Sequence, residues 1–437
     1  MNPLARSVPR FLYNALLFPL GAAGAYCLKP FNEKLGRTLG ARKGARARWT
    51  EKAKSLRASP VWFHVSSVGE YEQARPVIAA LNERSPEIPV AVTFLSPSGY
   101  GYAMKKETLD GSNNIKFMEY LPLDSPGNSR FCLALLKPRA LIFVKFDLWP
   151  NLIWSAHDAG IPVILIDGTL SGSSYRFSRI GRLFYRAVYR DLDAILAISH
   201  ADAERFRASA PGHAKILVAG DTRFDRVAQR KRHAADIPIQ TAGRTVFVAG
   251  SLWPEDEPCI MPALERLLGE MDGLTLVIAP HEPSREYVAH FETWARERRL
   301  DAARLSQIES GSTARCIVVD SVGILAELYR MADMAYVGGG FSTGVHSVIE
   351  PAIMGIPVLF GPAHANSFEA LELVRRGGGI ALSGESEAYG AIHSLLDDPA
   401  KRAVVGARAK EYVDSQLGAT DACWNQLSPF IEGRTSP

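Results

Sequence analysis

Twelve short apolar runs, many of them β-branched, recur along the chain from about residue 60, and longer helical or polar stretches separate them. This alternation narrows the fold most, because strands buried on both faces read as continuous apolar runs and need crossover helices to pair in parallel. VWFHVSS (61–67), VAVTFLS (90–96), ALIFVKF (140–146), PVILIDG (162–168), AILAIS (194–199) and ILVAG (216–220) make a first series. Between the first two, Ala74, Val77, Ile78 and Leu81 fall at i, i+3, i+4, i+7, one face of a helix.

A second series follows: TVFVAGS (245–251), LTLVIAP (274–280), ARCIVVD (314–320), MAYVGGG (334–340), IPVLFG (356–361) and GGIAL (378–382). The polar, unpatterned stretch 225–244 separates the two and reads as a domain boundary. The pattern predicts an α/β chain of the GT-B kind, with two Rossmann-like domains, 58–235 and 240–437, facing across a cleft at their strand C-termini. The 437 residues suffice for that, and 47% apolar with 22% charged residues excludes wholesale disorder. Five scattered cysteines without a C-x-x-C pair argue against a disulfide framework or a cysteine zinc site and fit a reducing compartment.

The net charge of +4 is unevenly spread: residues 1–57 hold 12 Lys and Arg against Glu33 and Glu51, a balance of +10. Within them, residues 11–27 carry no charge and follow Arg6 and Arg10. Seventeen residues lie at the lower limit for spanning a bilayer, and Pro19, Gly21 and Gly24 weaken a helix. A cleaved signal peptide fits poorly with the basic run that follows, which the positive-inside rule keeps in the cytoplasm. Between a membrane anchor and a buried first helix, the flanking cations favour an anchor formed by residues 1–57. No recognisable nucleic-acid motif accompanies the basic run, so nucleic acid is not an expected partner.

Two segments carry the chemistry. In MAYVGGGFSTGVHSVIEP, Gly338, Gly339 and Gly340 follow a strand and precede a helix expected near His346, which makes either a tight turn or a phosphate site. Glu350, one turn on, is either a solvated carboxylate or a ligand of ribose hydroxyls. In SSVGEYEQARP, Glu70 opens a helix after Ser67 and Gly69; such a residue is commonly a dipole-compatible surface group. At a strand C-terminus it also suits a general base, which the helix N-terminus would keep ionised. Ser251 and Trp253 in AGSLWPEDE, His281 and Glu282 in APHEPSRE, and Asp147 in FDLWPN also follow strands. Asp191 and Asp193 form a D-x-D, but they precede a strand and are expected on the opposite face, so no metal is expected in the cleft.

HVSSVGEYEQARP, DLWPN, GDTRFDRV, AGSLWPEDE, IAPHEPSRE, the long run from DSVGILAELYR to PVLFGP, and NSFEA together resemble the 3-deoxy-D-manno-octulosonic acid (Kdo) transferases, in order and over nearly the whole chain. The resemblance implies a GT-B enzyme of the inner membrane's cytoplasmic face. It would move Kdo from CMP-Kdo to the lipid A precursor lipid IVA with inversion, using no metal or other cofactor. It implies Glu70 as catalytic base and His281, Gly323, Ser347 and Glu350 as CMP contacts. The chain departs from many members at Asp167-Gly168-Thr169, Pro280-His281-Glu282 and His346-Ser347-Val348-Ile349-Glu350. Two other readings remain: a relative using another activated sugar or glycerol phosphate, and a catalytically silent, membrane-tethered binding protein.

Overall fold

The computed structural model describes residues 4–433 apart from 111–113, 214, 234–236, 238, 240, 242 and 309–313. The chain divides into two compact units. The first comprises residues up to Arg226 together with those from Leu417 on; the second is Val227–Gln416.

In the first unit, β1 (Val61–Val65), β2 (Val90–Phe94), β3 (Ile115–Tyr120), β4 (Ala140–Val144), β5 (Val163–Gly168), β6 (Ala194–Ala197) and β7 (Ile216–Val218) form one sheet. Its order is β3-β2-β1-β4-β5-β6-β7, and every pair is parallel. The second unit repeats the plan with β8 (Thr245–Leu252), β9 (Leu274–Pro280), β10 (Ala302–Arg304), β11 (Cys316–Val318), β12 (Met334–Val337), β13 (Val358–Phe360) and β14 (Gly379–Ala381). These run β10-β11-β9-β8-β12-β13-β14, again all parallel. Both sheets therefore have the doubly wound order, with the reversal beside β1 in one and β8 in the other, where such sheets bind ligands.

Both faces of each sheet are covered, which explains the unbroken apolar runs. In β1, Trp62 packs with Trp49, Phe117 and Phe143 on one face, while Val61, Phe63 and Val65 pack with Ile78, Leu81 and Leu427 on the other. The edge strands β3 and β10 lack this pattern, and sequence reading missed both. An edge strand is only half covered, so its residues alternate and mix with polar ones.

The expected domain limits change in three places. Residues 225–244 are not all linker: the helix Thr222–His233 buries Phe224 and Val227, and the division between units falls within it. The second domain does not run to 437, because the helix Ala419–Glu432 buries Cys423, Trp424, Leu427 and Ile431 in the core of the first. The basic segment is not wholly an appendage either. Trp49 is fully buried, and Arg48 and Lys52 both pair with the buried carboxylate of Glu119, so part of the +10 balance serves the fold.

At the N-terminus, Ser7–Phe31 is helical throughout and, at 25 residues, is long and apolar enough to cross a membrane. Its length of about 37 Å exceeds a ~30 Å hydrocarbon core. The helix accommodates Pro19 because a π turn, Tyr13–Leu17, precedes it. One side touches the first unit through Arg10 on Asp158, Tyr13 on Asp124 and Asn14 on Asn151, while Phe11, Leu16 and Leu20 stand exposed.

Candidate active site

β1 delivers the chain to Ser66 and Ser67 at the sheet's C-terminal edge. Ser67 caps the helix Val68–Arg84, its hydroxyl accepting from the Glu70 N–H at 3.3 Å. Glu70 folds back, and Oε2 accepts from the Ser66 N–H at 2.5 Å, a geometry close to a capping box. A capping glutamate on a surface keeps an ordinary pKa, but Glu70 is only 5% exposed. Burial pushes its pKa up to about 7; the Ser66 N–H opposes this, nearby Asp147 adds to it, and Lys145 opposes it. Contrary to the sequence expectation, the helix N-terminus does not keep Glu70 firmly ionised: burial outweighs it, and the carboxyl is poised between its two forms near neutrality.

Asp147 reaches the same edge from β4, two residues after Lys145, whose φ of 71° turns the chain sharply. The Ser66 hydroxyl and the Trp149 indole N–H, the latter at 3.3 Å, both donate to Asp147 Oδ2. Burial raises the pKa of Asp147, against the pull of Trp149, Arg176 and Arg42. Gly69 is exposed one residue before Glu70, and a Cβ there would make only ordinary contact with Ser67. Ser67, Gly69, Glu70 and Asp147 are thus brought together. Arg42, unforeseen from sequence, joins them from the basic segment, donating to the Leu95 carbonyl at 3.0 Å.

In the second unit the glycines follow β12. A Cβ on Gly338 would fall 2.1 Å from the Ser251 carbonyl oxygen, and one on Gly340 would strike Gly361 at 2.4 Å, so both sites require glycine. Ser251 itself has a φ of 51°. Asp256, fully buried and not singled out from sequence, gathers the loop: its carboxylate accepts from Trp253 N (3.0 Å), Tyr336 OH (2.8 Å), Gly339 N (2.8 Å) and Phe341 N (3.3 Å).

Three rings stack over this turn. Trp253 lies 4.5 Å from His281, and His281 4.4 Å from His346. Glu350 pairs with Arg230, which also approaches the Gly323 carbonyl at 3.5 Å, so Arg230 joins two expected contacts that sequence reading could not connect. The side chains of Glu282 and Ser347 are exposed, and among the described residues neither is hydrogen-bonded to this group. The helix expected near His346 is only the single turn Ile349–Ala352. The Val345 and His346 amides already donate to Ala363 and Gly338, and the Gly339 amide to Asp256, so these three are not open to an anion.

Asp193 accepts from the Val163 N–H at 2.8 Å at the start of β5, and Asp191 pairs with Arg190 at 3.3 Å. Their D-x-D thus lies at the strand N-termini. Among the described residues no group of three or more His, Cys, Asp and Glu is placed to hold a metal ion.

Two doubly wound parallel sheets, each with polar groups at its C-terminal edge, define the GT-B class. The fold is similar to that of MurG from Acinetobacter baumannii (13% identity, TM-score 0.53, covering 86% of this chain and 100% of that one). It is also similar to UDP-GlcNAc 2-epimerase from Neisseria meningitidis (15% identity, TM-score 0.55, covering 82% and 99%). Residues 6–226 match the family described as 3-deoxy-D-manno-octulosonic-acid transferase (kdotransferase), and the chain belongs to that family of glycosyltransferases. Curated relatives agree. The 3-deoxy-D-manno-octulosonic acid transferase of Chlamydophila psittaci is 27% identical over 432 residues, covering 96% of each chain. That of Aquifex aeolicus is 28% identical over 338 residues, covering 77% of this chain and 86% of its own.

Proposed function

We propose that this glycosyltransferase moves Kdo from CMP-Kdo to a hydroxyl of the lipid A precursor lipid IVA at the cytoplasmic face of the inner membrane, with Glu70 as general base. The acceptor oxygen attacks the anomeric carbon of Kdo and gives its proton to Glu70, while the bond to the CMP phosphate breaks on the opposite side, inverting the centre. The observation that carries this reading is Glu70 itself: a buried carboxyl at the C-terminal end of β1 with a pKa of about 7, which matches a base working near neutral pH. Asp147 shares its serine neighbour and suits positioning of the acceptor.

The second unit supplies the donor site. The ring stack of Trp253, His281 and His346 offers a flat surface for a nucleotide base, and Glu350, oriented by Arg230, suits the ribose hydroxyls. Gly323, Gly339, Gly340, Ser251 and Ser347 border these groups or follow them in sequence. No metal is given a role. The helix Ser7–Phe31 attaches the enzyme to the membrane that holds its acceptor.

The test is transfer of radiolabelled Kdo to lipid IVA by the full-length protein, with CMP-Kdo generated in the reaction. Labelled product that vanishes in Glu70→Gln is the expected result. CMP binding without transfer by the wild-type chain would instead make it a silent binding protein.

A further inference from the structure

The helix Arg179–Tyr189 presents to solvent a face that the reaction above does not use. Arg179, Arg182, Leu183 and Arg186 fall at i, i+3, i+4, i+7 and are all exposed, with Ile180 beside them. Ile180 is 83% exposed and Leu183 69%, while Gly181 and Val188 on the other side are buried. The helix holds three arginines and no acidic residue. The preceding turn, Tyr175–Phe177, adds Tyr175 at 68% exposure.

This face is held rigidly. Arg176 is buried, donates to Tyr189 OH at 3.0 Å and to the Phe146 carbonyl at 2.7 Å, and lies over the Tyr185 ring. The face also continues an apolar surface already described, because the Phe184 ring lies 5.7 Å from Tyr13 of the N-terminal helix. Large apolar side chains in water beside cations of one sign are the composition of a helix that lies in a bilayer interface.

We infer that this face is a second membrane contact, in which Tyr175, Ile180 and Leu183 enter the boundary between headgroups and acyl chains while Arg179, Arg182 and Arg186 meet lipid phosphates. The inference rests on the membrane reading of Ser7–Phe31 and adds an orientation to it. Phe146, whose carbonyl holds the turn, directly precedes Asp147, so the contact sets the acceptor edge of the first sheet against the lipid surface that presents the acceptor.

The experiment uses the full-length chain. Cys27 is the exposed cysteine and the other four are buried, so Cys27→Ser allows one introduced thiol to be labelled with an environment-sensitive dye. Separate Leu183→Cys, Phe11→Cys and Val404→Cys variants are mixed with vesicles of phosphatidylethanolamine and phosphatidylglycerol. The expected result is a blue shift at positions 183 and 11 and none at 404 in the second unit; Ile180→Cys replaces Leu183→Cys should that variant misfold. A shift at 11 without one at 183 or 180 overturns this inference and leaves the N-terminal attachment standing, whereas silence at all of them overturns both. A shift at 183 that grows with protein concentration and needs no vesicles assigns the face to a second copy of the chain, against the inference. In the unlabelled protein, Arg179→Gln and Arg182→Gln should each weaken vesicle affinity roughly fivefold, about 1 kcal/mol apiece; unchanged affinity overturns the role given to the arginines.

Discussion

The indole N–H of Trp253 donates to Nε2 of His346 at 2.7 Å, so that nitrogen carries no proton and the imidazole is neutral with its proton on Nδ1. Burial, with His281 alongside, holds the pKa of His346 below its ordinary value. The His346 ring is therefore flat and uncharged beside the indole of Trp253.

Trp253→Phe keeps a ring in the stack and removes only the donor. The His346 pKa should then rise toward the usual value of about 6.5, as followed by NMR titration of the imidazole carbons. A titration curve identical to that of the wild type would mean that the indole does not set the tautomer.

With Glu70 as base, turnover should rise with pH and level off above a midpoint near 7, because only the ionised carboxylate takes the proton. Glu70→Gln should lower kcat by ~10²- to 10⁴-fold and leave CMP affinity intact. A flat wild-type profile between about pH 5.5 and 8.5 would be incompatible with this assignment.

The same carboxyl has a stability signature. Its folded pKa lies above the unfolded value, so between about 4.5 and about 7 the folded state holds the extra proton. Stability from this group is therefore present at low pH and lost as pH rises through that window. Glu70→Gln should raise the unfolding free energy at pH 8 by about 1 to 3 kcal/mol and change it little at pH 4. Denaturant melts at the two pH values measure this, and a variant that is less stable at pH 8 would refute it.

Asp256→Ala should be among the most destabilising changes in the second unit, since it leaves the Trp253, Gly339 and Phe341 amides and the Tyr336 hydroxyl without their acceptor. Each buried donor left unpaired costs about 1 to 3 kcal/mol, so the loss should amount to several kcal/mol. Gly338→Ala should damage the same turn by collision with Ser251. Thermal melts with both variants near the wild-type Tm would show that the loop rearranges freely.

Glu350→Ala should weaken CMP binding by about 1 to 3 kcal/mol, measured by calorimetry, and Arg230→Ala should do so through Glu350. If Arg230→Ala weakened binding in a chain already carrying Glu350→Ala, Arg230 would be touching the nucleotide itself.

Much of this was legible in the chain. The ten central strands are apolar on both faces and announce themselves, as do the edge strands β7 and β14, and Glu70 and Asp147 could be placed because each follows a central strand by only a few residues. Asp256 could not be ranked above its neighbours, since Glu255, Asp256 and Glu257 look alike until the fold buries one of them. Arg230 was hidden because a helix with few apolar residues reads as linker; the spacing of Phe224 and Val227, both buried, is the signal that marks it. The N–H groups of the glycine turn could not be sorted for a different reason. Which amides stay free depends on acceptors distant in sequence, Asp256 and Ala363, that no local pattern announces.

The helix Ala419–Glu432 has a consequence for how the protein is made. Its Cys423, Trp424, Leu427 and Ile431 complete a core begun by Val61 and Phe63, so one unit is written in two pieces with the other encoded between them. On the ribosome, the interior of the earlier unit therefore waits open while some 190 intervening residues, Val227–Gln416, are synthesised and fold. A nascent chain halted before residue 419 carries an uncovered apolar face on its first sheet, and that face is a natural target for chaperones and proteases until the last helix emerges to close it.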